Sequence, residues 1–392
     1  MPPMKIAAIT VTVFGHTVER ESDIEGHAHP AASPRQGQTA LVTIEAGAAQ
    51  GLALAPAEAV RPHVMDRWVR PRLLGEDPLR IAMLWHRLYR LQRGSGGMLA
   101  ERTLSAVEAA LWDLAGKAAG QPVWKLLGGE RDRVPAYAST MCGDDLPGGL
   151  SSPEDYGAFA KALVARGYRA IKLHSWMPPV VTTPDPRRDL AACAAVREAA
   201  GPDTALMLDS YHWYDRDQAL WLGRGLEELD FAWFEEPMDE YSISSYAWLA
   251  DQLDIPIIGP ETALGKHRTR AEWIRAGACD ILRTGVHDVG GILPAIKVAH
   301  LAEAFGMNAE VHGGGAENLA VLGAIRNSTW YERGLLHPFL DHDRPPVYLR
   351  RPIDPMDDQG VVDLPRAPGL GLDLDLDYVR AHTLSVDEGK TD

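Results

Sequence analysis

The chain predicts an α/β fold: a closed barrel of parallel strand–helix units joined to a smaller α+β unit. Three observations predict it. From about Val134 onward, short apolar runs alternate with amphipathic stretches at least seven times. Such alternation means parallel βαβ units, and that many at steady spacing favour a closed barrel over an open sheet. The chain before Val134 lacks the alternation, and after about Pro346 it turns rich in Pro and Asp (RRPIDPMDDQGVVDLPRAPGLGLDLDLD), which cannot supply another unit. The expected parts are 1–133, an α+β cap; 134–350, the barrel; and 351–392, a segment returning to the cap.

In chain order, residues 5–13 and 39–46 are rich in Ile, Val and Thr and suit two strands. Residues 15–38 between them are polar and carry Gly, Pro and His. They read as a loop, too long for a hairpin turn and therefore a candidate for function. Residues 103–120 (TLSAVEAALWDLAGKAAG) have apolar side chains at helical spacing and a Gly stop, and read as a packing helix. In the barrel, VPAYAST precedes a helix over 153–166, and YRAIKLH one near 187–200. ALMLD, FAWFE, PIIGPE, CDILRT and MNAEVH follow, each trailed by a helical stretch.

Composition bounds the function. Of 392 residues, 46% are hydrophobic and 24% charged, an ordinary globular balance. Acids outnumber bases 54 to 39, for a net charge of −15. That argues against a nucleic-acid partner or an anionic membrane, because both need a basic face. Cys142, Cys193 and Cys279 form neither a disulfide framework nor a zinc pattern, which points to a reducing compartment. No apolar run spans a bilayer and the start reads as no leader, so a cytoplasmic location is expected.

Several polar residues fall at strand C-termini, the face where barrel active sites are built. Asp209 ends ALMLD, Glu235 ends FAWFE and Glu261 ends PIIGPE, at separations of 26 and 26 residues, one strand–helix unit each. Three successive parallel strands thus deliver three carboxylates to one rim. They repel one another unless a cation neutralises them, and oxygen-only ligation suits Mg²⁺. Read singly, each acid is a solvated strand end or a helix cap. Lys172 and His174 sit two apart on the strand before Asp209, so both side chains share one face. His312 ends AEVH, across the ring from His174. A cation with a base on either side is the arrangement that moves a proton on either face of a bound carbon; a lone histidine is more often a satisfied core residue.

Here the sequence resembles the mandelate racemase group of the enolase superfamily. The resemblance lies in KLH at 172–174, Asp209, FEEP at 234–237, GPE at 259–261, Gly290 and Gly291, His312 and WYE at 330–332. Residues 105–129 and 365–375 look like the group's N-terminal helix and C-terminal return. The resemblance implies a modified (β/α)7β barrel capped by an α+β domain, with one Mg²⁺ held by Asp209, Glu235 and Glu261. It implies that Glu236 turns away by strand alternation and supports Glu235 from behind. Removal of the proton α to a substrate carboxylate gives an enediolate, assisted by Lys172 and by Glu332 as a protonated donor.

Two departures stand out. Most relatives with this layout carry Lys-x-Lys, the second Lys being the base; here His174 fills its place, and histidine is the residue type whose free side chain, with a pKa of about 6.5, works as a base near neutrality. The Asp that pairs with the seventh-strand histidine in the family is Gly285 here, with His287 and Asp288 nearby as substitutes. A His312 left unpaired is a weaker base and a better acid. This favours elimination, in which one residue takes the α proton and another protonates a departing β-hydroxyl.

The substrate is then a polyhydroxy carboxylate, an aldonic or aldaric acid. Arg20, His27, His29 and Arg35 of the 15–38 segment suit its hydroxyls and distal carboxylate, and His212 is placed either to touch it or to cap the next helix. The segment also reads as a solvated loop. Residues 313–315 read as a turn that lets substrate approach the backbone, and Trp176 and Trp213 as packing or pocket walls. The expected activity is a Mg²⁺-dependent acid-sugar dehydratase. A racemase, epimerase or cycloisomerase using the same enediolate is the alternative, and a non-catalytic sugar-acid binding protein is the alternative of another class. The resemblance also implies a homo-oligomer, from dimer to octamer.

Overall fold

The computed structural model describes residues 4–22, 27–176 and 184–391. The cap opens with β1 (Ile6–Ser22), β2 (Ala28–Ala46) and β3 (Ala49–Pro56). The barrel follows as β4 (Arg133–Thr140), β5 (Ala170–His174), β6 (Ala205–Asp209), β7 (Trp233–Glu235), β8 (Ile257–Gly259), β9 (Ile281–Thr284), β10 (Ala309–Val311) and β11 (Tyr331–Leu336). A short β12 (Val361–Asp363) pairs antiparallel with β4, and β13 (Thr383–Lys390) returns to the cap beside β1.

The barrel strands run in the order β10-β9-β8-β7-β6-β5-β4-β11, all parallel, a nearly closed sheet. The cap is a separate antiparallel sheet in the order β13-β1-β2-β3. Against it lies the helix Glu101–Ala119, which ends where Gly120 takes a left-handed φ of 64°. That conformation costs a glycine nothing and lets its N–H close the last turn. One apolar core runs from the cap sheet through this helix into the barrel wall. Among the described residues, no helix is long and apolar enough to cross a membrane.

In the segment 15–38, the described residues 15–22 and 27–38 are not a loop, and residues 23–26 lie outside the described residues. β1 and β2 continue through it as a long antiparallel ribbon, pairing Gly15 with Gln38, Val18 with Arg35 and Arg20 with Pro30. Most of this part of β2 is exposed or half-buried. It therefore lacks the apolar face that would show a strand's period of two.

Alternation builds the site. Inside the barrel, Tyr137, Ala170, Met207, Trp233 and Ile258 form a buried apolar floor. Two residues further along β5, β6 and β7, the same inward face presents Lys172, Asp209 and Glu235. The charged groups therefore stand on a dry base, where electrostatic interactions are stronger than in water.

Candidate active site

Parallel register sets the ring of acids. His174 pairs with Asp209 across β5 and β6, and Asp209 with Glu235 across β6 and β7. Adjacent strands lie about 4.8 Å apart, so the 26-residue separations of the sequence become side-by-side neighbours. Glu261 stands two residues beyond the end of β8. Lys172, His174, Asp209, Glu235, Glu261 and Glu332 are all buried, and Glu235 is fully so.

Each charge finds a partner. Lys172 Nζ lies 3.1 Å from Asp209 Oδ2, 3.1 Å from Glu235 Oε2 and 3.2 Å from Glu332 Oε1. Burial disfavours its charge, but Glu235, Glu332 and Asp209 outweigh that and hold the ammonium well above its usual range. For Asp209 burial is likewise overcome, here by Lys172 and His174, which hold it well below the usual carboxylate range. His174 donates from Nδ1 to the Thr140 carbonyl at 2.7 Å and aims Nε2 at Asp209 Oδ2, 3.1 Å away.

A second buried cation, missed in the sequence reading, completes the ring. Arg283 on β9 is fully buried. Its Nε lies 2.7 Å from Glu235 Oε1 and 3.4 Å from Glu261 Oε2; its Nη2 donates to Glu332 Oε2 at 2.8 Å and to the Tyr137 hydroxyl at 3.0 Å. The signal was present: Arg283 lies two residues before Gly285, the position just past the end of β9 where the family's acid is expected, so alternation turns it towards the same face.

Lys172 and Arg283 both bear on the state of Glu332. Glu332 accepts hydrogen bonds from Arg283 and from the Gly313 N–H at 2.8 Å. Burial would raise its pKa, but Lys172, Arg283 and His312 push it well below the usual carboxylate range. Its oxygens face donors here, Lys172, Arg283 and the Gly313 N–H, whereas the resemblance implied a protonated donor.

Glu236 departs from expectation too. β7 ends at Glu235, and Glu236 takes a left-handed φ of 42°, so alternation does not carry it to the outer face. It is 3% exposed, and among the described residues its Oε1 has no hydrogen-bond partner. Burial, then Glu261, Glu240 and Asp209, hold it well above the usual carboxylate range.

Asp288 resolves the missing acid. Its Oδ2 accepts from His312 Nδ1 at 2.8 Å, while His312 Nε2 faces Glu261 Oε1 at 3.3 Å. Burial disfavours the imidazolium, but Glu261 and Asp288 push its pKa up to about 10. Asp288, one of the two nearby substitutes, is thus the acidic partner that the sequence left open, and a His312 made acidic by lacking a partner no longer supports elimination. Gly285 explains the transposition: a Cβ there would lie 2.1 Å from Asp288 Oδ2 and 2.9 Å from the His312 carbonyl. Its φ of −159° is open to any residue, so contact alone requires the glycine. Gly285→Ala is expected to push Asp288 off His312, losing a charge-assisted hydrogen bond of about 1.5–3 kcal/mol. The downfield Nδ1 proton of His312 in the NMR spectrum should then disappear, and its persistence would contradict the packing argument.

The expected substrate contacts are scattered. His27 is buried edge-on to Tyr211, ring centroids 4.2 Å apart, and Tyr211 lies 6.3 Å from His174, so the ribbon reaches the barrel mouth through His27. His29 lines a separate cleft with Asp144 and Phe339. Arg20 lines a cleft of about 610 Å³ with Tyr331, Arg333 and His342, against the face of β11 opposite Glu332. Arg35 pairs with Glu21 on the ribbon. His212 is exposed, and Trp176 is core, edge-on to Tyr156 at 4.8 Å.

The donor chemistry fits a divalent ion. Asp209, Glu235, Glu261 and Glu332 oppose Lys172 and Arg283, which leaves two negative charges on a dry floor beside the unpartnered oxygen of Glu236. Among the described residues, no three such groups already converge into a coordinating set. Each carboxylate is drawn instead onto a cation of the chain.

Comparison with known proteins agrees with this architecture. Residues 16–128 match the mandelate racemase / muconate lactonizing enzyme N-terminal domain, and residues 155–379 match the enolase C-terminal domain-like family. The arabinonate dehydratase of Saccharolobus solfataricus is 32% identical over 335 residues, 83% of this chain and 84% of that one. The D-galactarolactone cycloisomerase of Agrobacterium fabrum is 32% identical over 318 residues, 78% of this chain and 80% of the other. The crystal structure of D-glucarate dehydratase from Agrobacterium tumefaciens complexed with magnesium superimposes with a TM-score of 0.96 at 57% identity, over 97% of this chain and 100% of that one. With both of its domains matched and an acid-rich ring at the barrel mouth, the chain belongs to the mandelate racemase / muconate lactonizing enzyme family of the enolase superfamily.

Proposed function

We propose that this protein is a Mg²⁺-dependent acid-sugar dehydratase acting on an aldonic or aldaric acid. The observation that carries the reading is the pair His174 and His312, each beside an end of the carboxylate ring, at Asp209 and at Glu261. The 57% identity to a D-glucarate dehydratase supports an aldarate over other acids. Asp209, Glu235 and Glu261 would hold the ion. Bound there, it supplies Lewis-acid stabilisation of the negative charge that develops on the substrate carboxyl.

The chain's own residues move the protons. His174 fills the place of the family's base and takes the α proton, its ring fixed by the Thr140 carbonyl. The freed electron pair passes into the carboxyl group to form an enediolate. Collapse of the enediolate breaks the β C–O bond, and the hydroxyl leaves as water with a proton from His312, which Asp288 orients. The enol then tautomerises to a 2-keto-3-deoxy acid. Lys172, Arg283 and Glu332 fix the carboxylates among which this happens. The reading includes a cytoplasmic homo-oligomer: Cys142, Cys193 and Cys279 are buried and not bonded to one another, and Leu384 and Val386 on the edge strand β13 are exposed apolar side chains that a second copy would cover.

The test is incubation with Mg²⁺ and a panel of aldarates and aldonates, followed by assay for 2-keto acid. The expected result is a keto acid from at least one aldarate and none after chelation. Exchange of the α hydrogen in D₂O without loss of water would favour the isomerase reading instead, since a cycloisomerase is among the relatives.

A further inference from the structure

Of the three acids read as ion ligands, Asp209 and Glu235 are the last residues of their strands and are fixed by ladder hydrogen bonds. Glu261 is not. β8 stops at Gly259, and Glu261 stands on the loop 260–266, so something other than the sheet must hold it. Two buried side chains of opposite charge do so from opposite sides of the peptide.

Glu240, 5% exposed, takes the loop's N–H groups. Its Oε2 accepts from Thr262 N at 2.8 Å, Ala263 N at 2.8 Å and the Thr262 hydroxyl at 2.9 Å, while its Oε1 accepts from Glu261 N. Arg270, fully buried on the helix His267–Ala276, takes the carbonyls. Its Nη2 donates to Pro260 at 2.9 Å and to Glu261 at 2.6 Å, and its Nη1 to Ala263 at 2.9 Å and to Lys266 at 3.4 Å. Nε of the same side chain reaches the Arg283 carbonyl at 3.2 Å, which ties the loop to β9.

A carboxylate facing converging N–H groups and a guanidinium facing converging carbonyls are the strong, charge-assisted kind of hydrogen bond. Burying two charges is costly unless such bonds satisfy them, and here the loop backbone does. The peptide planes on both sides of Glu261 are therefore locked, and the side chain keeps only its own torsions.

We infer that Glu240 and Arg270 are positioning residues that set the direction of the Glu261 carboxylate, and so the grip of the ring on a divalent ion. The inference rests on Glu261 being an ion ligand. Partners behind metal ligands typically carry 10–100-fold in affinity. Glu240→Gln keeps the volume but turns an NH₂ group towards backbone N–H groups. Arg270→Lys keeps the charge but loses the fork that spans several carbonyls.

The test is a Mn²⁺ titration of the full chain followed by electron paramagnetic resonance, with thermal unfolding in EDTA alongside. Wild type, Glu240→Gln, Arg270→Lys and Glu235→Gln are compared. Glu240→Gln and Arg270→Lys are expected to bind Mn²⁺ about 10–100-fold more weakly than wild type while remaining folded by circular dichroism. If one of them does not fold, the other carries the test. Wild-type affinity in a folded variant, with only a lowered melting point, makes the clamp structural and overturns the inference. If wild type and Glu235→Gln bind equally, or wild type binds no Mn²⁺, the ligand reading itself fails and the inference falls with it.

Discussion

Glu235→Gln loses Mg²⁺-dependent turnover by about 10³ or more, because a Lewis acid contributes several kcal/mol to the transition state and each 1.4 kcal/mol is tenfold. The neutral amide keeps the shape of the side chain but removes one of the three anionic donors proposed for the ion. Stability changes with it. Lys172 lies 3.1 Å from one Glu235 oxygen and Arg283 lies 2.7 Å from the other, all three side chains being buried. Removing the charge takes one counter-ion from each cation, but Lys172 keeps Asp209 and Glu332 and Arg283 keeps Glu261 and Glu332, so the cost stays below the about 3–5 kcal/mol of orphaning a buried charge. A lower melting point with an intact circular dichroism spectrum is the expected companion of the lost activity. Full turnover in the variant would overturn the ligand assignment.

The two histidines separate by isotope. His174→Asn stops exchange of the substrate α hydrogen with D₂O and abolishes keto-acid formation. His312→Asn keeps the exchange but loses keto acid by about 10²–10⁴, the usual contribution of a positioned general acid. The distinction follows from placement. His174 stands on β5 in line with Lys172, where the family's base sits, and His312 stands across the ring with Asp288 behind it. Deuterium NMR of recovered substrate and a keto-acid assay on the same samples check both outcomes. Exchange lost only in His312→Asn would reverse the roles of the two residues.

Much of the barrel was legible because its signals are local. The stretches ALMLD, FAWFE and CDILRT place their strands, and the helix over 153–166 falls where its N-terminal Pro and final Arg put it. The ribbon formed by residues 15–22 and 28–38 was not legible, since much of it is exposed and shows no apolar alternation. Arg283 was harder to read because it lies inside β9 and not at the strand end, where the spacing of the acids points.

By itself the sequence determined that three acids, one lysine and two histidines arrive at one end of a parallel barrel. One strand–helix unit advances the chain by one strand, so equal spacing in sequence becomes adjacency in space. Only the tertiary structure decided what those groups meet. Asp288 reaches His312 because Gly285 leaves room for it, Glu236 leaves β7 on a left-handed backbone and stays buried, and Arg283 reaches Glu332 from β9. Those contacts depend on side-chain reach and backbone direction between distant segments, which no spacing along the chain encodes.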